Sequence, residues 1–131
     1  YKRQVLGVFG AAGLLQGYRA TTHWASLDQL SLLGAYPVNE RVVRDRNLIT
    51  GAGVTSGIDF ALSVVADLYG ATLAQEIQLQ MEYDPAPPFN AGSPRSVSPA
   101  VLQAVNDKQA AFIETRRQAT LRAAANLQHR Q

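Results

Sequence analysis

Cysteine is absent from the 131 residues. That excludes disulfides, thiolate metal ligands and a cysteine nucleophile within the chain. Histidine occurs only twice, and tryptophan and methionine once each. No His/Asp/Glu cluster has metal-ligand spacing, and no aromatic and basic residues interleave as a nucleic-acid groove requires. There is no phosphate loop, and no pair of carboxylates is placed for glycosidic acid–base work. No apolar run is long enough to span a bilayer, and the first residues do not read as a secretory signal. Internal repeats are also missing.

What is present describes a globular chain. Hydrophobic residues make up 47% and charged residues 17%, and the length allows one domain or less. The net charge of +2 is small but uneven. Six basic residues (Arg95, Lys108, Arg116, Arg117, Arg122, Arg130) follow Pro94, against Asp107 and Glu114. Such a tail reads as a solvated helix face, or as a surface for nucleic acid or an acidic partner. Tyr1–Gln4, YKRQ, is polar and basic and abuts an almost wholly apolar run. These four residues read as translated sequencing-library adapter rather than native sequence.

The chain is organised around residues 47–60, NLITGAGVTSGIDF. This is a short apolar strand (Leu48, Ile49), a glycine turn (Gly51, Gly53) and a helix start. Thr55 and Ser56 suit a helix cap, and Ser56 with Asp59 matches the S-x-x-[DE] capping pattern. A strand end feeding a helix start points backbone N–H groups outward, which suits anions or developing negative charge. A plain βα turn has the same pattern.

Around it, Val5–Gln16 predicts a helix that is apolar nearly all round and capped at Gly17. Arg19–Trp24 predicts a buried strand, and Ala25–Gly34 a short amphipathic helix on Leu27, Leu30 and Leu33. Tyr36–Thr50 predicts a hairpin, with Val38, Val42 and Val43 in one arm and Asp45-Arg46-Asn47 at the turn. Val54–Tyr69 and Ala71–Tyr83 predict two helices broken at Gly70. Asp84–Pro99 is a proline-rich loop, apolar enough at Pro87, Pro88 and Phe89 to lie against the domain. Ala100–Gln128 predicts one long helix with an apolar stripe. Strands alternating with helices indicate an α/β domain with a largely parallel sheet, covered on both faces. The strands are too few for the helices, so the layout predicts that N-terminal strands are missing.

RATTHW, ITGAGVTSGIDFAL and QLQMEYDPAPPFNAGSP together resemble the DJ-1/PfpI superfamily. The first two segments are widely shared there, whereas EYDPAPPFNAGSP is narrower and resembles the isonitrile hydratases. The likeness runs from about Val5 into the terminal helix. It implies a flavodoxin-like three-layer α/β sandwich, akin to class I glutamine amidotransferases, of which residues 5–131 form the C-terminal part. It implies a cytoplasmic homodimer acting on a small-molecule isonitrile, with no cofactor or metal and neither nucleic acid nor membrane as partner. In such proteins a cysteine on a strand-to-helix elbow attacks the isonitrile carbon to give a thioimidate, and water then releases an N-substituted formamide. Counting back from Gly10 puts that cysteine at the position of Arg3, inside YKRQ. The acidic partner of the thiolate belongs to a first strand–loop unit that this chain does not contain. As written, the chain is expected to be inactive.

The resemblance also implies a substrate pocket at Val54, Thr55, Tyr83 and His23. Val54 lies close to the nucleophile in the family, or is an ordinary core valine. Thr55 adds a hydroxyl to the pocket, or caps a helix. Tyr83 offers a phenol to substrate or water, or anchors the proline loop. His23 ends a strand, where α/β proteins place ligand contacts, or is structural. Trp24 reads as packing or dimer surface, and His129 as solvated. Two other readings stand beside the hydratase. The sensor domains of some AraC-type transcription regulators carry similar THW and glycine-turn segments, but continue into two helix-turn-helix units. A non-catalytic fragment could instead bind a partner through an exposed sheet edge.

Overall fold

A computed structural model of the chain describes residues 9–129. The tetrapeptide YKRQ, the expected nucleophile position at Arg3, and residues 5–8 of the first expected helix lie outside the described residues.

Residues 9–11 are helical, but the helix does not run on to Gln16. Gly13 adopts φ +79. The Leu14 N–H donates to the Phe9 carbonyl (3.0 Å) and the Gly13 N–H to that of Gly10 (2.9 Å). These two bonds form a Schellman stop, which ends the helix well before the cap expected at Gly17. The early stop matters for packing. Leu15 falls into the core, fully buried, while Phe9 and Leu14 are left exposed. Gly10 packs so closely on Leu33 that a Cβ there would collide with that side chain.

Four short strands follow. They are β1 (Arg19–Ala20), β2 (Tyr36–Pro37), β3 (Val42–Asp45) and β4 (Leu48–Gly51). β1 pairs parallel with β2, Arg19 opposite Tyr36. β3 pairs antiparallel with β4, Val43 opposite Thr50. The strand expected over Arg19–Trp24 stops after two residues. At Thr21 the backbone N–H donates to Thr50 Oγ1 (2.9 Å), and the Thr21 hydroxyl donates to the Glu40 carbonyl (2.8 Å). Side chains thus take over from a ladder, and Trp24–Ser26 turns as a 3₁₀ helix. The helix expected over Ala25–Gly34 is narrower, α1 (Gln29–Leu32), and Gly34 ends it at φ +76. Val38 does not join the hairpin: its N–H donates to the Ala20 carbonyl (2.8 Å), continuing the parallel pairing. The hairpin turn does fall at Asp45–Leu48, with Arg46 at φ 54.

Three longer helices complete the chain: α2 (Ser56–Tyr69), α3 (Ala71–Gln80) and α4 (Pro99–Gln128). Ser98 caps α4, its Oγ accepting from the Val101 N–H, and Pro99 fits the first turn, where no N–H is needed. α4 buries none of its residues. It touches α1 through Thr120, whose hydroxyl donates to Gln29 Oε1 (3.1 Å). The core is small: Leu15, Ala20, Leu30 and Ala35, with Leu27 and Leu48 packed against them. The fold is α/β, but the described residues carry two two-stranded sheets rather than one continuous parallel sheet.

Candidate functional site

The turn between β4 and α2 positions the site. Neither Gly51 nor Gly53 takes a positive φ. Gly51 is instead a close approach: a Cβ there would lie 3.0 Å from Ser56 Oγ and 3.7 Å from Phe60 Cβ. The Ser56 hydroxyl donates to the Gly53 carbonyl (2.7 Å), so it braces the turn. The expected capping box is therefore not formed. Thr55 occupies the cap position without a side-chain cap bond. Asp59 turns outward to other partners. The outward N–H groups are also fewer than the pattern suggests, because those of Ser56 and Gly57 bond back to Gly53 and Val54.

α2, α3 and the start of the proline loop surround a cleft of about 910 Å³. Ile58, Leu62, Val65, Ile77 and Met81 give it an apolar lining. Val54 belongs to the same lining and is 63% exposed, so it is not a core valine. The polar lining is Arg41, Thr55, Asp59 and Tyr83, linked in series through Arg41 and Asp59. The Tyr83 hydroxyl donates to Asp59 Oδ1 (3.0 Å). Arg41 Nε pairs with Asp59 Oδ2. Arg41 Nη1 and Nη2 each lie 3.4 Å from Thr55 Oγ1. Partial burial works against the charge on Arg41, but the bonds to Asp59 and then Tyr83 outweigh it and hold the guanidinium above its ordinary range.

Three of the four expected pocket residues, Val54, Thr55 and Tyr83, thus share the cleft. His23 does not line it. His23 caps the 3₁₀ helix, its Nδ1 accepting from the Ala25 N–H (3.3 Å), and its ring stands 5.3 Å from that of Trp24. Its ring lies beside the glycine turn: a Cβ on Gly53 would meet it at 3.7 Å. Pro85, Ala86, Pro87 and Gly92 bring the proline loop to the cleft, whereas Phe89 points to solvent at 77% exposure. Arg41 carried no signal in the sequence. It precedes a strand by one residue, and its partners lie 14 and 18 residues on. Asp59 read there only as the acidic member of a capping pattern. Among the described residues no three His, Cys, Asp or Glu side chains group as metal ligands, and no helix is long and apolar enough to cross a membrane.

Comparison with known proteins adds the following. Residues 6–67 match the DJ-1/PfpI family. The chain is 56% identical to isonitrile hydratase of Pseudomonas putida over 120 residues, which is 92% of this chain and 53% of that protein. It is 38% identical to the HTH-type transcriptional regulator CdhR of Pseudomonas aeruginosa over 77 residues, 56% of this chain and 22% of the regulator. A crystal structure of a THiJ/PfpI family protein from Pseudomonas syringae superposes with a TM-score of 0.84 at 49% identity, covering 92% of this chain and 48% of that one. The chain spans about half the length of the hydratase it matches.

Proposed function

Because the chain belongs to the DJ-1/PfpI family, with the mixed helix and strand order of a flavodoxin-like fold, we propose that it is part of an isonitrile hydratase. The observation that carries this is the 56% identity to the Pseudomonas putida hydratase across nearly the whole chain. The reaction adds water to R–N≡C and yields R–NH–CHO. A thiolate forms a C–S bond to the terminal isonitrile carbon while that carbon takes a proton, which gives the thioimidate R–N=CH–S. Water then adds to that carbon, the C–S bond breaks, and the thiolate is regenerated with release of the formamide. A thiolate at a helix N-terminus is the nucleophile suited to this step. Arginine stands at position 3, where the cysteine is expected. In this reading Val54, Thr55 and Tyr83 line the substrate cleft, and the apolar wall of α2 and α3 takes the substituent R. The whole enzyme works in the cytoplasm as a homodimer and needs no cofactor.

The test is the coding DNA upstream of Val5, followed by an assay of the complete product. The expected sequence is an apolar strand ending in cysteine where YKRQ now stands. The complete protein should convert cyclohexyl isonitrile to N-cyclohexylformamide, and alanine in place of that cysteine should abolish turnover. The 131-residue chain should yield no formamide above buffer; clear turnover by it would overturn the assignment of the cysteine. An in-frame start codon before YKRQ would bring forward a second reading, a ligand-sensing domain of an AraC-type regulator. That reading has the CdhR match behind it, over a shorter part of the chain.

A further inference from the structure

Resting on the assignment of the α2–α3 cleft as the ligand site, we infer that Asp59, held by Arg41, is a positioning residue that makes the cleft selective for secondary amides. It does so by presenting Tyr83 as a hydrogen-bond acceptor and Thr55 as a donor. The inference follows from counting protons. A phenol has one O–H, and that of Tyr83 is spent on Asp59 Oδ1 at 3.0 Å. A carboxylate paired with a guanidinium has no proton to give back. The Tyr83 oxygen therefore has no proton for a ligand and offers it only the lone pair that Arg41 leaves unused. Thr55 is set the opposite way. A guanidinium donates and never accepts, so Thr55 Oγ1 accepts from Arg41 and keeps its own O–H to donate. One ion pair thus fixes the polarity of both hydroxyls.

The group that complements such a pair carries an N–H beside a carbonyl oxygen. A secondary amide has both, on an apolar body that Ile58, Leu62, Val65 and Ile77 would cover. An isonitrile has no N–H. The polarity of the cleft thus favours the hydrated product over the isonitrile before water is added. Asp59 acts through Tyr83 rather than on the ligand itself.

The test is binding to the complete protein, followed by ligand-observed NMR with two probes. N-Cyclohexylformamide keeps the N–H, and N-cyclohexyl-N-methylformamide lacks it. The unmodified protein should prefer the first by about tenfold, the effect of one well-placed hydrogen bond. In Asp59→Asn the new amide can donate to the Tyr83 oxygen, which frees the phenol proton to turn toward the ligand. The preference should then fall to about one, and Asp59→Glu should restore it. Tyr83→Phe, which keeps the ring, should also lose it and covers the case in which Asp59→Asn does not fold. Equal binding of the two probes by the unmodified protein would overturn the inference, as would no binding of either, or a preference that survives Asp59→Asn. None of these readings involves turnover. Failure of the hydratase assignment in the complete protein would therefore be seen separately.

Discussion

Asp45 holds the hairpin turn to the neighbouring sheet with its side chain. Its Oδ2 accepts the Arg19 N–H at 2.7 Å, and Oδ1 lies 3.4 Å from Arg46 Nε. Arg46 in turn donates to the Gly17 carbonyl (2.7 Å) and stacks over the Tyr18 ring at 3.6 Å, while the Tyr18 hydroxyl donates to Asn47 Oδ1 (2.9 Å). The backbone bond from Arg19, then the bond and charge of Arg46, hold the Asp45 carboxyl below its ordinary range against a smaller desolvation effect. The sign follows from linkage. A carboxyl whose folded pKa is lowered adds stability above the unfolded value of about 4, and loses it as the pH falls through the folded value. Asp45→Asn should therefore lower the melting temperature at pH 7, and the gap from the unmodified chain should narrow toward pH 3. Thermal melts of both proteins at the two pH values check this; a gap unchanged at pH 3 would rule the charge out. The turn itself, Asp45-Arg46-Asn47, was legible in the sequence because its chemistry is local. Its anchors were not, since Tyr18 and Arg19 lie 29 and 26 residues from their partners.

The α2–α3 hairpin depends on one backbone conformation. Gly70 ends α2 and caps α3 at φ 93 and ψ 156, a region open almost only to glycine. Nothing lies within 4 Å of where its Cβ would be. Gly70→Ala should therefore cost about 1–3 kcal/mol through backbone strain, with no clash to relieve. Gly92→Ala is the control. It also meets open space but at no positive φ, so its effect should stay within about 0.5 kcal/mol. Urea titrations of the two variants compare them directly, and equal midpoints would show that Gly70 is not strained. The sequence marked this break, because a lone glycine between two helical periodicities is a strong signal. It also marked α4 and the β4–α2 turn. It overextended the first helix, the Arg19–Trp24 strand and the first arm of the hairpin. In each case a Schellman stop, a threonine side chain or a parallel pairing to Ala20 replaced the continuation that periodicity implied. The cleft was legible as residues but not as a cluster. Val54, Thr55 and Tyr83 could be named, while the Arg41–Asp59 pair joining Thr55 to Tyr83 needs the fold.

Over the whole molecule, surface outruns core. A folded monomer of 14.2 kDa should expose about 6,800 Å². This chain exposes 9100 Å², roughly 2,300 Å² more than that scaling. The surplus is larger than the ~1,600 Å² that a standard protein–protein interface buries from both partners together. Its character is apolar as well as extensive. Leu68, Tyr69, Leu79, Phe89 and Phe112 are each more than half exposed, and α4 runs 30 residues without burying one. Exposed apolar side chains on α2, α3, the proline loop and α4 seek cover, either from further polypeptide or from other copies of the chain. The 131-residue chain alone should therefore self-associate. Sedimentation velocity should show species heavier than a monomer, growing with concentration and shrinking in low urea, with dye binding typical of exposed apolar surface. A single sharp monomer that melts cooperatively would mean that the small core of Leu15, Ala20, Leu30 and Ala35 is sufficient, and that these faces are stable in water as they stand.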